Sequence, residues 1–265
     1  MSAPDPLAPR KPTTLTRTFD VATSLMTSIG RLGLGHEVGR LGIRPEKPLI
    51  LYEYEACPFC RKVREALTQL DLSVQIRPCP RGGQRFRPEV VRHGGREQFP
   101  YLIDPNAGIA LYESEAIVQY LFDQYGDQQV RGLLGLGILG DLHSALAGLP
   151  RVLAGRSVRA SRAPALQLEL YSMESSPFCR LVRETLCELE IPYRLHNVGR
   201  GSPSRDAFIQ RSGKMMVPWL YDPNAEIGLF ESAEIVDYLQ STYGEDEEVD
   251  DREGVPFSSE GEAPR

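Results

Sequence analysis

Short apolar runs alternate along the chain with longer stretches in which apolar residues recur every three or four positions. The run at 49–53 is typical of a buried strand, and apolar spacing from Cys60 to Leu70 predicts a helix that begins at Pro58. The pattern then predicts strands at 73–77, 101–103 and 109–111, a turn at 104–108, a short helix at 87–92, and a helix at 113–125 with Ala116, Ile117, Tyr120 and Leu121 on its inner face. Gly126 is expected to end that last helix.

The second half of the chain repeats this pattern and much of its sequence. Leu51–Arg61 returns as Leu170–Arg180 at an offset of 119 residues, and Phe99–Ala107 returns as Val217–Ala225 at an offset of 118. The pattern predicts strands at 167–171, 193–197, 219–221 and 228–230, and helices at 177–189 and 231–243. A repeat of this length is typical of a duplicated domain, because solenoid repeats are shorter.

The segments around the two repeats complete the predicted organisation. We predict a disordered N-terminus at 1–17, a leading helical segment at 18–46, a first domain at 47–126, a helical linker at 127–165, a second domain at 166–244 and an acidic, disordered tail at 245–265. Residues 24–32 align with 144–152, so a leading helix is predicted ahead of each domain. The apolar stretch at 133–139 is expected to pack within the protein rather than on a membrane, where more Lys and Arg would accompany it.

Composition and charge narrow the function classes. A hydrophobic content of 41% and a charged content of 25% are typical of a soluble globular protein. The net charge of −6 argues against a nucleic-acid partner, since phosphates are bound by basic surfaces. The N-terminus lacks the apolar core of a secretory signal, and no apolar stretch is long enough to span a bilayer. Five cysteines without a regular framework favour a reducing compartment, so a cytoplasmic location is expected.

Three motifs occur in the same order in both halves. They are Cys57-Pro-Phe-Cys60 and Ser176-Pro-Phe-Cys179 after the first strand, Pro100 and Pro218 at the head of the third strand, and Glu113-Ser114 and Glu231-Ser232 before the last helix. With these motifs, each half resembles the N-terminal, glutathione-binding domain of glutathione transferases, and the first half has glutaredoxin character. The resemblance implies an α/β fold of two tandem thioredoxin-like domains (βαβαββα), each preceded by a helical segment, without the all-helical C-terminal domain of transferases.

The resemblance also implies roles for individual residues. Cys57 matches the glutaredoxin nucleophile, Cys60 is a candidate catalytic partner, and Ser176 matches the serine that hydrogen-bonds the glutathione sulfur. The residues that it assigns to glutathione binding, with the two prolines at the third strands in the cis form, are Pro58, Phe59, Phe99, Pro100, Glu113, Ser114, Pro177, Phe178, Val217, Pro218, Glu231 and Ser232. Glutathione is therefore the expected co-substrate. No metal is expected, because a conceivable zinc site from Cys57, Cys60, Cys79 and His93 lacks a second close pair of ligands.

Elementary chemistry supports a division of labour between Cys57 and Ser176. A thiol at a helix N-terminus meets unpaired N–H groups and the positive end of the helix dipole, which favour the reactive thiolate. Arg61 and Arg64, one turn further along, are expected to favour it too, and a residue between a strand and a helix is expected to be accessible. A serine hydroxyl in the same place can only donate a hydrogen bond to a bound thiolate.

Some candidates have a simpler structural interpretation. Ser114 and Ser232 could serve only as helix caps, although their recurrence with the other motifs favours a ligand role. Cys60 either resolves a Cys57 disulfide or packs in the core. Cys179 is expected to be a core residue, because its partner position is a serine. Cys79 and Cys187 are expected to be structural.

Two features depart from the families that the chain resembles. About 39 residues at 127–165 separate the domains, so the transferase pocket for hydrophobic electrophiles is expected to be missing unless the leading segments replace it. Glu55 and Glu174 stand where glutaredoxins commonly carry a lysine. A carboxylate near the sulfur raises the thiol pKa and opposes the helix dipole.

The favoured hypothesis is a glutathione-binding thiol–disulfide oxidoreductase or transferase-like enzyme that acts through Cys57. Its partners would be glutathione and a thiol, disulfide or small electrophile, with no nucleic acid and no membrane expected, and the two domains would act as an intramolecular pseudo-dimer. One alternative is a non-catalytic scaffold that binds glutathione or a protein. Another is a glutathione-dependent isomerase, as found among relatives with a Cys-Pro-Phe-Cys motif.

Overall fold

The protein is described by a computed structural model that covers residues 20–24, 36–130, 134 and 154–245. The first domain contains β1 (Leu49–Glu53), α1 (Pro58–Gln69), β2 (Val74–Pro78), α2 (Arg87–Gly94), β3 (Tyr101–Asp104), β4 (Ile109–Tyr112) and α3 (Ser114–Tyr125). The second contains β5 (Leu168–Ser172), α4 (Pro177–Glu188), β6 (Tyr193–Asn197), α5 (Arg205–Ser212), β7 (Trp219–Asp222), β8 (Ile227–Leu229) and α6 (Ser232–Tyr243). The predicted fold of two tandem thioredoxin-like domains is confirmed, and the predicted bounds of the elements differ from these by at most two residues.

One detail of α3 was predicted wrongly. Ala116 is exposed, and Val118 is buried instead, because the buried positions of this helix follow a stripe through 117, 118, 121, 122 and 125. Gly126 ends the helix as predicted, with an extended backbone (φ −119°). A side chain is disfavoured at this position, since a Cβ would lie 2.9 Å from the carbonyl oxygen of Phe122 and 2.8 Å from Leu70 Cδ2.

The two domains share one eight-stranded sheet in the order β4-β3-β1-β2-β6-β5-β7-β8. The strands β2 and β6, each an edge of its own domain, pair in antiparallel fashion. Gln75 lies opposite Arg194, its counterpart in the repeat, so the pairing is symmetric about this point, as in a two-fold dimer. Pairing the two edges removes exposed strand edges that would invite aggregation.

The helices α1, α3, α4 and α6 cover one face of this sheet and enclose a continuous apolar core. Its buried members come from both domains, for example Leu67 and Leu121 from the first and Leu186 and Leu239 from the second. The two domains are therefore joined by backbone pairing and by shared apolar packing.

The segment ahead of each domain forms backbone hydrogen bonds with the other domain. The amide of Val38 donates to the carbonyl of Arg200 (2.9 Å), and the amide of Arg200 donates to the carbonyl of His36 (2.7 Å). In the same way, Val158 donates to Arg81 (3.0 Å), and Arg81 donates to Arg156 (2.6 Å). Each domain is thus hydrogen-bonded to the leading segment of its neighbour, and we call this pair of backbone hydrogen bonds the clasp.

The predicted leading and linker helices fall largely outside the described residues. The described residues 20–24 form a helix, whereas the described stretches 36–46, 127–130 and 154–165 contain none. Most of three other predicted segments also lies outside the described part: the N-terminus at 1–17, the tail at 245–265 apart from Glu245, and the stretch at 133–139 apart from the buried Leu134.

A buried carboxylate stabilises the turn between β3 and β4. From the sequence, this residue was predicted only to be part of a turn. Asp104, which is buried, accepts hydrogen bonds from the hydroxyls of Tyr120 (2.7 Å) and Tyr125 and from the amide of Asn106 (2.8 Å). Asp222 accepts the same set of bonds in the second domain, from Tyr238, Tyr243 and Asn224. Burial disfavours ionisation of each carboxylate, but these hydrogen bonds outweigh it and hold the pKa below its ordinary value of 3.8.

Replacing Asp104 or Asp222 with asparagine is expected to lower the free energy of unfolding by about 1–3 kcal/mol at pH 7, because strong acceptors of buried hydroxyls are lost. Because the folded-state pKa is depressed, the contribution of each carboxylate is complete above the unfolded pKa and disappears as the pH falls through the lower folded value. Urea denaturation at neutral and acidic pH measures both effects. Asp123→Asn, on the exposed face of α3, is the control and should leave stability unchanged; equal stability of all three variants would contradict the prediction.

Candidate functional site

Cys57 and Ser176 occupy the same position in the two domains, as the N-cap residues of α1 and α4. The φ and ψ angles are −74° and 119° at Cys57 and −74° and 121° at Ser176. The Cys57 sulfur accepts a hydrogen bond from the amide of Cys60 at 3.3 Å, and the Ser176 hydroxyl accepts one from Cys179 at 3.3 Å. Pro58 and Pro177 begin the helices, where the missing N–H costs no hydrogen bond. The two positions therefore differ in the atom presented and not in backbone geometry.

The expectation that Cys57 is accessible is wrong. Its side chain is 2% exposed, and that of Ser176 is 8% exposed. The exposed residues of the motifs are Phe59 and Phe178, each at 45%. The other four cysteines are also buried, and none of the five is in a disulfide. A reactant can therefore reach the Cys57 sulfur only when a neighbouring side chain moves.

The pKa values of the two thiols in the first motif, Cys57 and Cys60, are shifted in opposite directions. Burial raises the pKa of Cys57, but hydrogen bonds from Cys60 and from the amides of Cys60 and Phe59 outweigh burial, so the pKa is lowered. The pKa of Cys60 is raised well above its ordinary value, by burial and by the neighbouring Cys57. A thiolate is thus favoured at the helix N-terminus and disfavoured one turn further in.

The arginines and carboxylates near the motifs behave differently from the sequence-based expectation. Arg64 and Arg183 form a buried ion-pair network between the domains. Arg64 Nε lies 2.9 Å from Glu174 Oε2, and Arg183 Nη2 lies 2.9 Å from the same atom. Arg183 Nε also donates to Glu55 at 3.1 Å. Glu55 and Glu174 therefore neutralise arginines of the interface.

A different carboxylate opposes the thiolate. Glu53, the last residue of β1, is buried, contacts Arg64 and raises the pKa of Cys57 through its charge. Burial, together with Glu55 and Glu174, raises the pKa of Glu53 itself to about 7. The aligned residue in the second domain is Ser172, whose hydroxyl accepts a hydrogen bond from Arg183 at 3.1 Å. Of the two domains, only the one that carries Cys57 has this carboxylate.

Both prolines at the heads of β3 and β7 follow cis peptide bonds. These bonds are Phe99-Pro100 and Val217-Pro218, so the expectation of the cis form is confirmed. Phe99 and Val217 are both half-buried. The ring of Phe99 packs edge-on against Tyr54 at 6.1 Å, which ties it to the loop that carries Cys57.

The Glu-Ser pairs lie at the starts of α3 and α6, but their geometry differs from a simple cap. Glu113 and Glu231 are the N-cap residues, with φ of 67° and 62°, and neither makes a side-chain cap bond. Ser114 and Ser232 are the first helical residues and are 6% and 8% exposed. The interpretation of these serines as N-caps is therefore wrong. A positive φ at a non-glycine residue is uncommon, and its recurrence in both copies points to a role for this turn.

Contacts in the first domain bring the three motifs together. Tyr54 connects the Cys57 loop to Phe99, and Gln98, next to Phe99, donates a hydrogen bond to Glu113 at 2.6 Å. The guanidinium of Arg87 lies 4.9 Å from the centre of the Phe99 ring and covers the same region. Sequence motifs alone missed Tyr54, Gln98 and Arg87. For Tyr54 and Gln98, a signal was available in the comparison of the copies, since methionines stand at their aligned positions, 173 and 216.

A cavity of about 310 Å³ lies between α4, α6 and the leading segment. Its lining includes Val21, Leu181, Ser232 and Val236. The leading segment of the first domain therefore helps to form a small pocket on the second, at the low end of the volumes typical of ligand pockets. Four carboxylate residues, Asp20, Glu184, Glu188 and Asp237, also line it.

Two further properties concern membranes and metals. Among the described residues, every helix is too short or too polar to cross a bilayer. In the same part of the chain, no group of three or more His, Cys, Asp or Glu residues is arranged to hold a metal ion.

A family model for the glutathione S-transferase N-terminal domain matches the chain twice, at residues 51–129 and 170–247. Among solved structures, a glutathione transferase of Bombyx mori is 29% identical over 32% of this chain and 38% of its own, with a TM-score of 0.29. A delta-class glutathione transferase of Nilaparvata lugens is 34% identical over 30% of this chain and 37% of its own, with a TM-score of 0.26. A trimeric glutathione transferase of Leishmania is 15% identical over 75% of this chain and 68% of its own, with a TM-score of 0.27.

The matched region is thus less than two fifths of the length of either insect enzyme. No curated protein matches the chain significantly. Because the family match covers more than half of the chain and falls on both copies of the repeat, the chain belongs to the family of glutathione S-transferase N-terminal domains, as a tandem duplication of that domain.

Proposed function

We propose that this protein is a glutathione-dependent thiol transferase or thiol–disulfide oxidoreductase that acts through Cys57. Membership of the family supports a glutathione-related function. The observation that carries the finer proposal is the position of Cys57 as the N-cap residue of α1, where its sulfur accepts a hydrogen bond from the amide of Cys60 at 3.3 Å. The pKa of Cys57 is lowered there, whereas that of Cys60 is raised. A lowered thiol pKa is what a nucleophilic cysteine needs at neutral pH.

The proposed reaction is an exchange of sulfur partners. The Cys57 thiolate attacks one sulfur of a disulfide or of a glutathione mixed disulfide, a Cys57 S–S bond forms, and the other sulfur leaves as a thiolate. A second glutathione thiolate then displaces the group held on Cys57 and regenerates it. Alternatively, Cys60 loses its proton and attacks Cys57, so that a Cys57–Cys60 disulfide forms and the held group leaves as a thiolate. Two glutathione molecules then reduce this disulfide to two thiols and are oxidised to one glutathione disulfide.

The proposed glutathione-binding site, called the seat below, has the same three parts in both domains: the motif at the helix cap, the strand that begins with the cis-proline, and the Glu-Ser pair at the start of the last helix. The cis-proline strand would hold the cysteinyl backbone of glutathione through Phe99 or Val217. Ser114 or Ser232, at a helix N-terminus that favours negative charge, would hold the γ-glutamyl carboxylate. Ser176 would donate a hydrogen bond to the bound sulfur in the second domain, where no thiol exchange is expected.

Because Cys57 is buried, only small reactants can reach it. The same burial favours a second candidate function, a scaffold that binds glutathione without catalysis. Burial and the neighbouring thiols of Cys57 and Cys60 raise the pKa of Tyr54, so its side chain is one that an incoming thiol or disulfide would have to move aside. A site that never opens in this way would bind glutathione without exchange, as a non-catalytic scaffold. Five free, buried cysteines support a reducing, cytoplasmic setting in either case.

The pH dependence of Cys57 alkylation by iodoacetamide, with and without glutathione, tests the proposal. We expect the alkylation midpoint of Cys57 to lie below the ordinary thiol pKa of about 8.5, and glutathione to slow the reaction. Peptide mapping separates Cys57 from Cys60, which should stay unmodified at neutral pH. A midpoint at or above the ordinary value, together with indifference to glutathione, would instead support the scaffold.

A further inference from the structure

The leading segment of the first domain contacts the residues on both sides of Ser176. The Ser24 hydroxyl donates to the carbonyl of Pro177 at 2.8 Å, and Arg180 Nη1 donates to the carbonyl of Ser24 at 2.8 Å. Ser24 is completely buried. On the other side, Ser175 Oγ lies 3.4 Å from His36 Nδ1. The motif loop of the second domain is therefore held by side chains that precede the first domain in the sequence.

His36 is itself fixed in place by the backbone. Its carbonyl accepts a hydrogen bond from the amide of Arg200, and the next residue but one, Val38, donates back to Arg200. The ring is half-buried beside the loop that initiates α4. A histidine held in this way can orient Ser175 through its hydroxyl at little entropic cost.

Within 154–165, the described part of the segment ahead of the second domain, the same backbone hydrogen bonds are made to the first domain without a side-chain contact to its motif loop. Arg156 occupies the place of His36, and its carbonyl accepts from Arg81 as that of His36 accepts from Arg200. The residue before Cys57 is Ala56, which has no hydroxyl to bond. Among the residues that the structure describes, a contact between a leading-segment side chain and the motif loop therefore occurs only in the second domain.

We propose that His36 is a positioning residue of the second glutathione seat, acting through Ser175 on the loop that presents the Ser176 hydroxyl. The second seat is then composite, because part of it comes from the segment that precedes the first domain, and its affinity for a tripeptide thiol depends on that segment. The seat at Cys57 does not depend on His36. This inference rests on the proposed glutathione site of the second domain.

The single tryptophan of the chain makes the two seats separately observable. Trp219 directly follows the cis peptide of Val217-Pro218, so its fluorescence reports ligand binding in the second domain. Protection of Cys57 from iodoacetamide reports binding in the first. Both signals are followed in one titration of the full chain with glutathione, with calorimetry to count the bound ligand.

Replacing His36 with alanine is expected to raise the glutathione Kd reported by Trp219 by roughly fivefold, the effect of one lost hydrogen bond. The concentration that protects Cys57 should not change. Ser175→Ala should give the same loss, and the double variant should lose no more than either single variant, because both changes remove one interaction. His36→Gln, which keeps a polar side chain able to bond Ser175, should restore most of the affinity.

Arg156→Ala is the matched control, since it alters the same position of the other clasp and should leave both signals unchanged. An unchanged Trp219-reported Kd in His36→Ala overturns the inference, as does an equal loss at both seats. If the unaltered protein shows protection of Cys57 but no binding in the second domain, the inference fails while the proposed function of Cys57 stands. If neither seat binds glutathione, the proposed function fails as well.

Discussion

Replacing Cys57 with serine is expected to lower glutathione-dependent disulfide reduction by several orders of magnitude, because a serine hydroxyl is not ionised at neutral pH and cannot form a mixed disulfide. The variant is nearly isosteric, and it places in the first domain the residue that the second domain carries at Ser176 with the same backbone angles. It should therefore fold normally. Reduction of a small disulfide, such as a hydroxyethyl–glutathione mixed disulfide, measures the activity.

The chain provides matched controls for this experiment. Cys179→Ser, at the buried position that corresponds to Cys60, should leave the activity nearly intact. Cys60→Ser separates the two routes of the reaction: activity is kept if a second glutathione resolves the intermediate and is lost if Cys60 does. An equal loss in Cys57→Ser and Cys179→Ser would contradict the division of labour between the domains.

Replacing Arg183 with methionine is expected to lower the free energy of unfolding by about 3–5 kcal/mol, because Glu55 and Glu174 would remain buried without their main partner. Burial opposes ionisation of Glu174, but Arg183 and Arg64 outweigh it and lower its pKa to about 2. Arg183 touches both carboxylates, with Nε 3.1 Å from Glu55 and Nη2 2.9 Å from Glu174. Urea denaturation followed by Trp219 fluorescence and by circular dichroism measures the loss.

The two signals should change together, because the network and the shared core bind the domains into one cooperative unit. Arg159→Met is the control: its ion pair with Glu188 is 3.7 Å long and half-exposed, so its loss should cost at most about 1 kcal/mol. A cost below about 1 kcal/mol for Arg183→Met, or separate transitions for the two domains, would contradict the prediction.

Local features of the sequence were sufficient to predict most of the elements. Pro58 and Pro177 mark the helix starts because a missing N–H is tolerated only there, and apolar spacing from Cys60 to Leu70 matches a helix buried on one side. The turn at 104–108 was also predicted correctly, because its Asp, Pro, Asn and Gly residues favour a turn through local backbone preferences. The error at Ala116 arose because a small residue near the edge of a buried stripe gives no periodic signal of its own.

The candidate site was predicted less completely. The cis form of Pro100 and Pro218 was implied by family resemblance and is present. The burial of Cys57, the place of Tyr54 against Phe99 and the engagement of Arg64 in an ion-pair network were not predicted. Each of these depends on which side chains from other parts of the chain fill the space around a residue, and spacing along one element carries no information about that.

The sequence by itself determined that a thioredoxin-like domain occurs twice and that sulfur and oxygen occupy one equivalent helix cap, because repeats, helix starts and turns are encoded by neighbouring residues. Only the tertiary structure decided that Gln75 meets Arg194 in a shared sheet, that Glu55 pairs with Arg183 at a separation of 128 residues, and that His36 reaches Ser175 at a separation of 139. Such contacts follow from the symmetry with which the two domains pack, and the energy of that packing is distributed over both.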